Sequence, residues 1–294
     1  MKSLIKLIRP HQYIKNIFIL LPLFFVGEIL NTDKILNAVT AFAAFSLVAS
    51  AIYIFNDYND IKDDRRHPKK KHRPLASGLV NKTTALSLMV FLLLIGFSLM
   101  ATISINSVIV LTIYVSINIL YSLKLKRIAL LDVTIIAIGF VLRLFAGSFA
   151  CDVSLKVWIV IMTFLLALFL ALAKRRDDVL ILNKSGNKMR KSIDGYNLDL
   201  IDGAMFIMSA VVIVAYLQYT TSREIIEKFQ NENLYLTTIF VIFGVMRYLQ
   251  MTFVEKNSGA PTEIILKDRI MQINLLLWVL SFIWIIYFKS IFLI

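Results

Sequence analysis

Asp57, Asp60 and Asp64 are the residues of this 294-residue chain best placed to do chemistry. They lie in YIFNDYNDIKDDRRHPKKKHRPLASG, residues 53–78, where a long apolar run ends in four aspartates and then a basic loop. If the helix ending there continues through Asp64, about 100° per residue brings the three carboxylates within an arc of roughly 60°, with Asp63 turned about 100° away from Asp64. Carboxylates crowded on one face repel unless cations neutralise them. Hard divalent ions suit an all-oxygen donor set, and Mg2+ is usually held by one or two carboxylates plus substrate phosphates. The chemistry implied is metal-assisted, on a phosphorylated substrate, with Asp57, Asp60 and Asp64 as metal-binding and catalytic residues. The same residues also read as a solvated helix end, with aspartates as caps and the basic loop as an anchor at a membrane border. Spacing alone leaves both readings open.

The elements that must position this cluster are membrane helices. Hydrophobic residues make up 59% of the chain, and apolar runs of about 18 residues recur, close to the 20 or so that a helix needs to cross the hydrocarbon. Nine spans are expected, at 16–31, 38–56, 84–102, 106–122, 131–150, 155–173, 203–221, 235–252 and 270–288. A soluble fold is excluded. The single cysteine, Cys151, excludes an intramolecular disulfide and a thiolate zinc cluster, and His11, His67 and His72 lack metal-site spacing. The first span follows a basic stretch without a small-residue cleavage signature, so it reads as retained. No internal repeat and no glycine-rich phosphate loop is evident, which leaves phosphate binding to side chains and metal.

A net charge of +13 invites a nucleic-acid reading, but its distribution follows membrane topology instead. With the N-terminus inside, the inner segments carry 25 of the 32 Lys and Arg and the outer ones five, while Arg143 and Arg247 lie within spans. The positive-inside rule then puts the acidic cluster on the cytoplasmic side of an inner membrane.

Other candidates follow along the chain. In MKSLIKLIRPHQYIKN, Leu4, Leu7 and Ile8 share a face, which suggests an interfacial amphipathic helix, with Lys15 at the mouth of the first span. In YSLKLKRIALLD, residues 121–132, Tyr121 stands where interface anchors are common, and Lys124, Lys126 and Arg127 add anion-binding capacity. Arg143 sits in IGFVLRLFAG, where a lipid-facing charge would be costly, so it should face the protein interior or a wet cavity. In LALAKRRDDV, Lys174, Asp177 and Asp178 share one face, as a local pairing or as a second metal or phosphate contact. Residues 179–202 form a long polar connection with a turn at Ser185–Gly186, and EKNSGAPTEIILKDR carries a Gly-Ala-Pro turn.

Taken together, these residues resemble the UbiA superfamily of intramembrane prenyltransferases, whose members have nine helices around a membrane-open cavity. The superfamily's first acidic motif, NDxxDxxxD, is matched by Asn56, Asp57, Asp60 and Asp64. The chain looks most similar to the polyprenyl-phosphate phosphoribosyltransferase branch, through RPHQYIKN (9–16), HPKKKHRPLASG (67–78), YSLKLK (121–126), GFVLR (139–143), KRRDD (174–178) and PTEIILKDR (261–269). Prenyltransferases acting on aromatic acceptors typically carry a second acidic motif, DxxxD, but Lys174 stands where its first aspartate would fall. The phosphoribosyl branch has Lys-Arg there and a glutamate near the place of Asp178. The resemblance implies an all-α, polytopic membrane bundle forming one domain, 1–294.

It also implies an activity: Mg2+-dependent transfer of 5-phosphoribosyl from phosphoribosyl pyrophosphate to a polyprenyl phosphate, as in cell-wall precursor synthesis. Asn56 would position the metal shell or a phosphate, and Lys70, Lys71 and Arg73 would close over the pyrophosphate. Lys15, Lys124, Lys126, Arg143, Lys174 and Arg175 are candidates for the acceptor phosphate or the ribose 5-phosphate, with Tyr121 and Asp178 alongside them. One alternative is prenyl transfer from a diphosphate to an aromatic acceptor. A transporter of phosphate or lipid anions is another, although the broken, repeated halves common in transporters are not evident.

Overall fold

The computed structural model describes residues 2–66, 70–186, 191–256 and 267–287. His67, Pro68 and Lys69 of the basic loop and the Gly-Ala-Pro turn lie outside the described residues. No strand occurs among the described residues. The α-helices are α1 (Lys2–Ile8), α2 (Leu21–Val26), α3 (Thr32–Asn59), α4 (Ile61–Arg66), α5 (Lys82–Ala101), α6 (Ile105–Leu123), α7 (Leu131–Cys151), α8 (Val157–Ser185), α9 (Leu198–Thr220), α10 (Arg223–Phe229), α11 (Thr238–Phe253) and α12 (Arg269–Tyr287). Eight of the helical stretches described are long and apolar enough to cross a membrane, so this is a multi-pass helical membrane protein.

Local sequence sets many of the ends. Asn31, Asn81 and Asn197 each accept a backbone N–H three residues on, satisfying one of the donors that a helix start leaves open. Gly27 and Gly186 end α2 and α8 in the left-handed region, at φ 76° and 67°.

The expected first span, 16–31, is not one helix. Pro10 opens a 3-10 helix, Pro10–Ile19, and α2 follows after Leu20. At about 2.0 Å per residue for the 3-10 part and 1.5 Å for the α part, the two pieces laid end to end reach roughly 29 Å, close to the hydrocarbon thickness. The 3-10 register repeats every third residue, so Tyr13, Asn16 and Ile19 fall on one side. Tyr13 shares a hydrogen bond with Ser50, Asn16 donates to Ser46, and Ile19 is fully buried.

The described chain forms two compact units, residues 1–126 with 138–155, and residues 127–137 with 156–294. In the first unit, the alanine-rich α3 is central: Ala38, Ala41, Ala44, Ala49 and Ala51 are all buried, and small residues let neighbours approach closely. A Cβ at Gly147 would lie 1.9 Å from the carbonyl oxygen of Ile19, so only glycine permits that backbone contact. α1, expected to lie on the membrane surface, instead turns its apolar face inward: Leu7 is fully buried against a cluster with Ala51, Ile54, Ile61 and Leu75.

In the second unit, a core of Phe169, Leu172, Ile201, Met205, Tyr248 and Met251 joins α8, α9 and α11. α8 runs about ten residues past the expected end of its span, because the charged stretch KRRDD stays helical, each arginine finding a carboxylate.

Candidate active site

α3 ends at Asn59, but the helical hydrogen-bond ladder does not stop there. Asp60 N–H donates to Asn56 O at 3.0 Å and Asp64 N–H to Asp60 O at 2.8 Å, carrying the ladder into α4. Asp57 and Asp64 are therefore turned inward and buried, Asp60 is half-buried, and Asp63 points to solvent.

Three cations from three separate segments meet these carboxylates. Arg9, at the start of the 3-10 helix, places Nη2 2.5 Å from Asp57 Oδ1, with its guanidinium 5.2 Å from the Tyr53 ring centroid. Arg73 bridges two aspartates through one nitrogen, Nη1, at 3.0 Å from Asp57 Oδ1 and 2.7 Å from Asp64 Oδ2. Lys126 Nζ lies 2.5 Å from Asp60 Oδ1 and 3.5 Å from Asn56 Oδ1.

The basic loop is fastened, which is why Arg73 can bridge. Arg65 Nε donates to Ala76 O, Lys6 Nζ donates to His72 O, and Pro74, Leu75, Ala76 and Val80 are buried. Burial raises the Asp64 pKa above its usual range, and this outweighs the opposing pull of Arg73 and Lys70.

Among the described residues, no three His, Cys, Asp or Glu side chains form a ready cage for a metal ion, because basic groups stand between these carboxylates. The donor set nevertheless suits a hard cation. Each of Asp57, Asp60 and Asp64 engages its basic partner through one oxygen, and the other oxygen has no hydrogen-bond partner among the described residues.

The remaining candidates are scattered. Lys71 and Lys124 are exposed, Lys15, Lys70 and Tyr121 are half-buried, and Lys174 points to solvent. Arg143 is buried in the first unit. It donates to Asn16 Oδ1 at 2.8 Å, Gly139 O at 2.6 Å and Tyr114 OH at 3.2 Å, within 5.5 Å of the rings of Phe45, Tyr114 and Phe140. It ties α7 to the broken N-terminal segment through Asn16.

Arg175 is sealed inside the second unit. Its Nε donates to Asp132 Oδ2 at 2.7 Å and its Nη1 to Asp178 Oδ2 at 2.9 Å. Asp132 also accepts from Ser192 Oγ at 2.9 Å and Tyr196 OH at 2.6 Å, while Tyr196 OH accepts from Leu130 N–H. Burial, then the bond to Asp132, pushes the Tyr196 phenol pKa up. Arg176 pairs with Asp202 and lies 4.5 Å from the Phe253 ring. Asp178, on the face that Lys174 was expected to share with it, is engaged by Arg175.

Arg9, Asp132, Ser192 and Tyr196 escaped the sequence reading. Arg9 stands in RPHQYIKN, a stretch that entered only through the family resemblance, although a cation beside a helix-breaking proline was a usable signal. Asp132 was the one acid in YSLKLKRIALLD.

Comparison with known proteins follows the same lines. A model of the UbiA prenyltransferase family matches residues 18–222. A decaprenyl-phosphate phosphoribosyltransferase of Mycolicibacterium smegmatis is 32% identical over 94% of this chain and 90% of its own length. A protein of the same name from Corynebacterium glutamicum is 28% identical over 99% of this chain and 88% of its own. A solved UbiA homolog from Archaeoglobus fulgidus, bound to DMAPP and Mg2+, shares the fold with a TM-score of 0.71 at 17% identity, covering 98% of this chain and 99% of that one.

Proposed function

The chain belongs to the UbiA prenyltransferase family, and from that premise we propose that it transfers 5-phosphoribosyl from phosphoribosyl pyrophosphate to a polyprenyl phosphate, releasing pyrophosphate. The observation that carries this reading is what stands in place of a second acidic motif. Lys174 is a cation, and Asp178 is tied to the sealed Arg175, so the donor set for a hard cation lies in the first motif. Similarity over nearly the whole chain to two decaprenyl-phosphate phosphoribosyltransferases supports the same choice.

In this proposal Asp57, Asp60 and Asp64 hold Mg2+, which when bound supplies positive charge against the pyrophosphate. Arg73 and Lys126, with Lys70 and Lys71 beside them, bind anionic oxygens of the donor, and Asn56 orients Lys126. The bond from C1 of ribose to the pyrophosphate oxygen breaks with its electron pair leaving on pyrophosphate. A phosphate oxygen of the lipid forms the new bond to C1, and because a phosphate monoester is ionised near neutrality, positioning matters more than a general base. Lys15 and Lys124 are assigned to the remaining phosphates. The site faces the cytoplasm, the side to which the charge asymmetry directs the basic segments. Residues 1–294 act as one catalytic domain.

The test is label transfer. Purified protein, Mg2+, labelled phosphoribosyl pyrophosphate and a series of polyprenyl phosphates should yield labelled lipid. Absence of transfer across the series, together with activity on a prenyl diphosphate and an aromatic acceptor, would overturn the proposal.

A further inference from the structure

The acidic cluster supplies its own counter-cations: three carboxylates, on Asp57, Asp60 and Asp64, face three cations, Arg9, Arg73 and Lys126. Two of the guanidinium groups converge on a single atom, Asp57 Oδ1, at 2.5 Å and 3.0 Å. Like charges at one acceptor repel, so this crowding persists only while no other cation neutralises Asp57.

Arg9 is the partner suited to leave. Arg73 bridges two aspartates from a fastened loop, whereas Arg9 has Asp57 as its one carboxylate among the described residues. Arg9 also has backbone angles of φ 54° and ψ 60°, a left-handed conformation that a side chain disfavours, at the junction between α1 and the 3-10 helix. The Tyr53 ring offers its guanidinium a second surface. Its side chain is 18% exposed against 2% for Asp57, so an incoming anion can reach it without unfolding the site.

We propose that Arg9 is a donor-binding residue that exchanges partners, leaving Asp57 when a divalent cation takes that carboxylate and moving onto the donor's diphosphate. The inference rests on the phosphoribosyl-transfer reading above. A cation alone must displace Arg9 with no anion to receive it, which leaves a partly buried guanidinium unpaired. A cation arriving with a diphosphate gives Asp57 and Arg9 a new partner each. Divalent-cation and donor binding are therefore positively coupled through one side chain.

The experiment is a calorimetric titration of the full chain in detergent with Mg2+ alone, paired with the donor KM at saturating Mg2+. Arg9→Gln removes the competitor for Asp57, so Mg2+ binding should tighten about tenfold while the donor KM rises by a similar factor, within the usual range of coupling between sites. Arg9→Gly accepts the left-handed backbone without strain and should give the same pair of changes, which guards against loss of fold. Arg9→Lys should recover most of the donor KM. Unchanged or weaker Mg2+ binding in the Gln and Gly variants, or an unchanged donor KM, overturns the exchange. Asp57→Asn in the same titration separates the two ideas: if it binds Mg2+ as the parent does, the metal reading itself falls. If it loses binding while the Arg9 variants behave like the parent, only the exchange falls.

Discussion

Two clusters in this molecule are built from the same chemical pair, aspartate and a basic side chain, and they are finished differently. In the first unit, Asp57, Asp60 and Asp64 receive cations from three separate segments, with the basic side chains 18–26% exposed and one oxygen of each carboxylate left without a hydrogen-bond partner among the described residues. In the second, Arg175 and Asp132 are both 0% exposed, and Asp132 has hydrogen-bond donors on both oxygens. A buried pair gains from its mutual attraction only when its remaining polar atoms are also satisfied, and then losing one partner is costly. The lesson is that engagement of both carboxylate oxygens, more than the presence of charge, separates a cluster that can trade partners from one that fixes helices.

The largest test of this contrast is Asp57→Asn. Turnover should fall by about a thousandfold, the scale of removing a group that positions charge-stabilising donors, while the protein remains monodisperse and folded. Parent-level turnover would end the site assignment.

Next comes a crossed pair. Arg175→Met should cost about 3–5 kcal/mol of stability by leaving Asp132 buried without its cation, read as a lower thermal midpoint in detergent. Lys126→Gln, which removes a partly exposed partner of Asp60, should cost less than about 1 kcal/mol and instead weaken donor binding. Reversed results would erase the distinction between the clusters.

Tyr196→Phe is a finer probe of the sealed cluster. It removes the donor to Asp132 and the acceptor of the Leu130 N–H, for a loss of about 1–3 kcal/mol, measurable by the same melting curve.

The smallest effect is expected at a third, peripheral pair. The bond from Arg247 holds the Asp268 carboxyl below its ordinary value of 3.8. The unfolded chain then binds the proton more readily, so the pair's stabilisation is present above that value and is lost as pH falls through the lower, folded value. Asp268→Asn should flatten this acid limb by removing, already at neutrality, the small stabilisation that the parent loses only in acid.

The parts of the site that obey helical spacing were legible in advance. Asp57, Asp60 and Asp64 share a face because the ladder runs on through Asp60, and Asp63 points outward as the same periodicity requires. Nonlocal pairings were not legible, because nothing in local spacing connects Arg9 to Asp57 across 48 residues or Tyr196 to Asp132 across 64. Composition located the membrane spans but misjudged two stretches. The two prolines at positions 10 and 22 break the first span into pieces of different pitch, and α8 continues to Ser185, into the stretch expected to be a polar connection.

The 3-10 helix at Pro10–Ile19 also leaves a mark on how this stretch can drift over generations. Three residues per turn put Tyr13, Asn16 and Ile19 in strict phase with Ser50, Ser46 and Gly147. Tolerated replacements should accumulate in pairs between every third, constrained position, a rhythm that no ordinary membrane helix produces. Loss of a single codon between Tyr13 and Ile19 would turn everything on one side of it by about 120° and take those two residues out of phase with each other. Length, more than composition, is what lineages of this protein must preserve there.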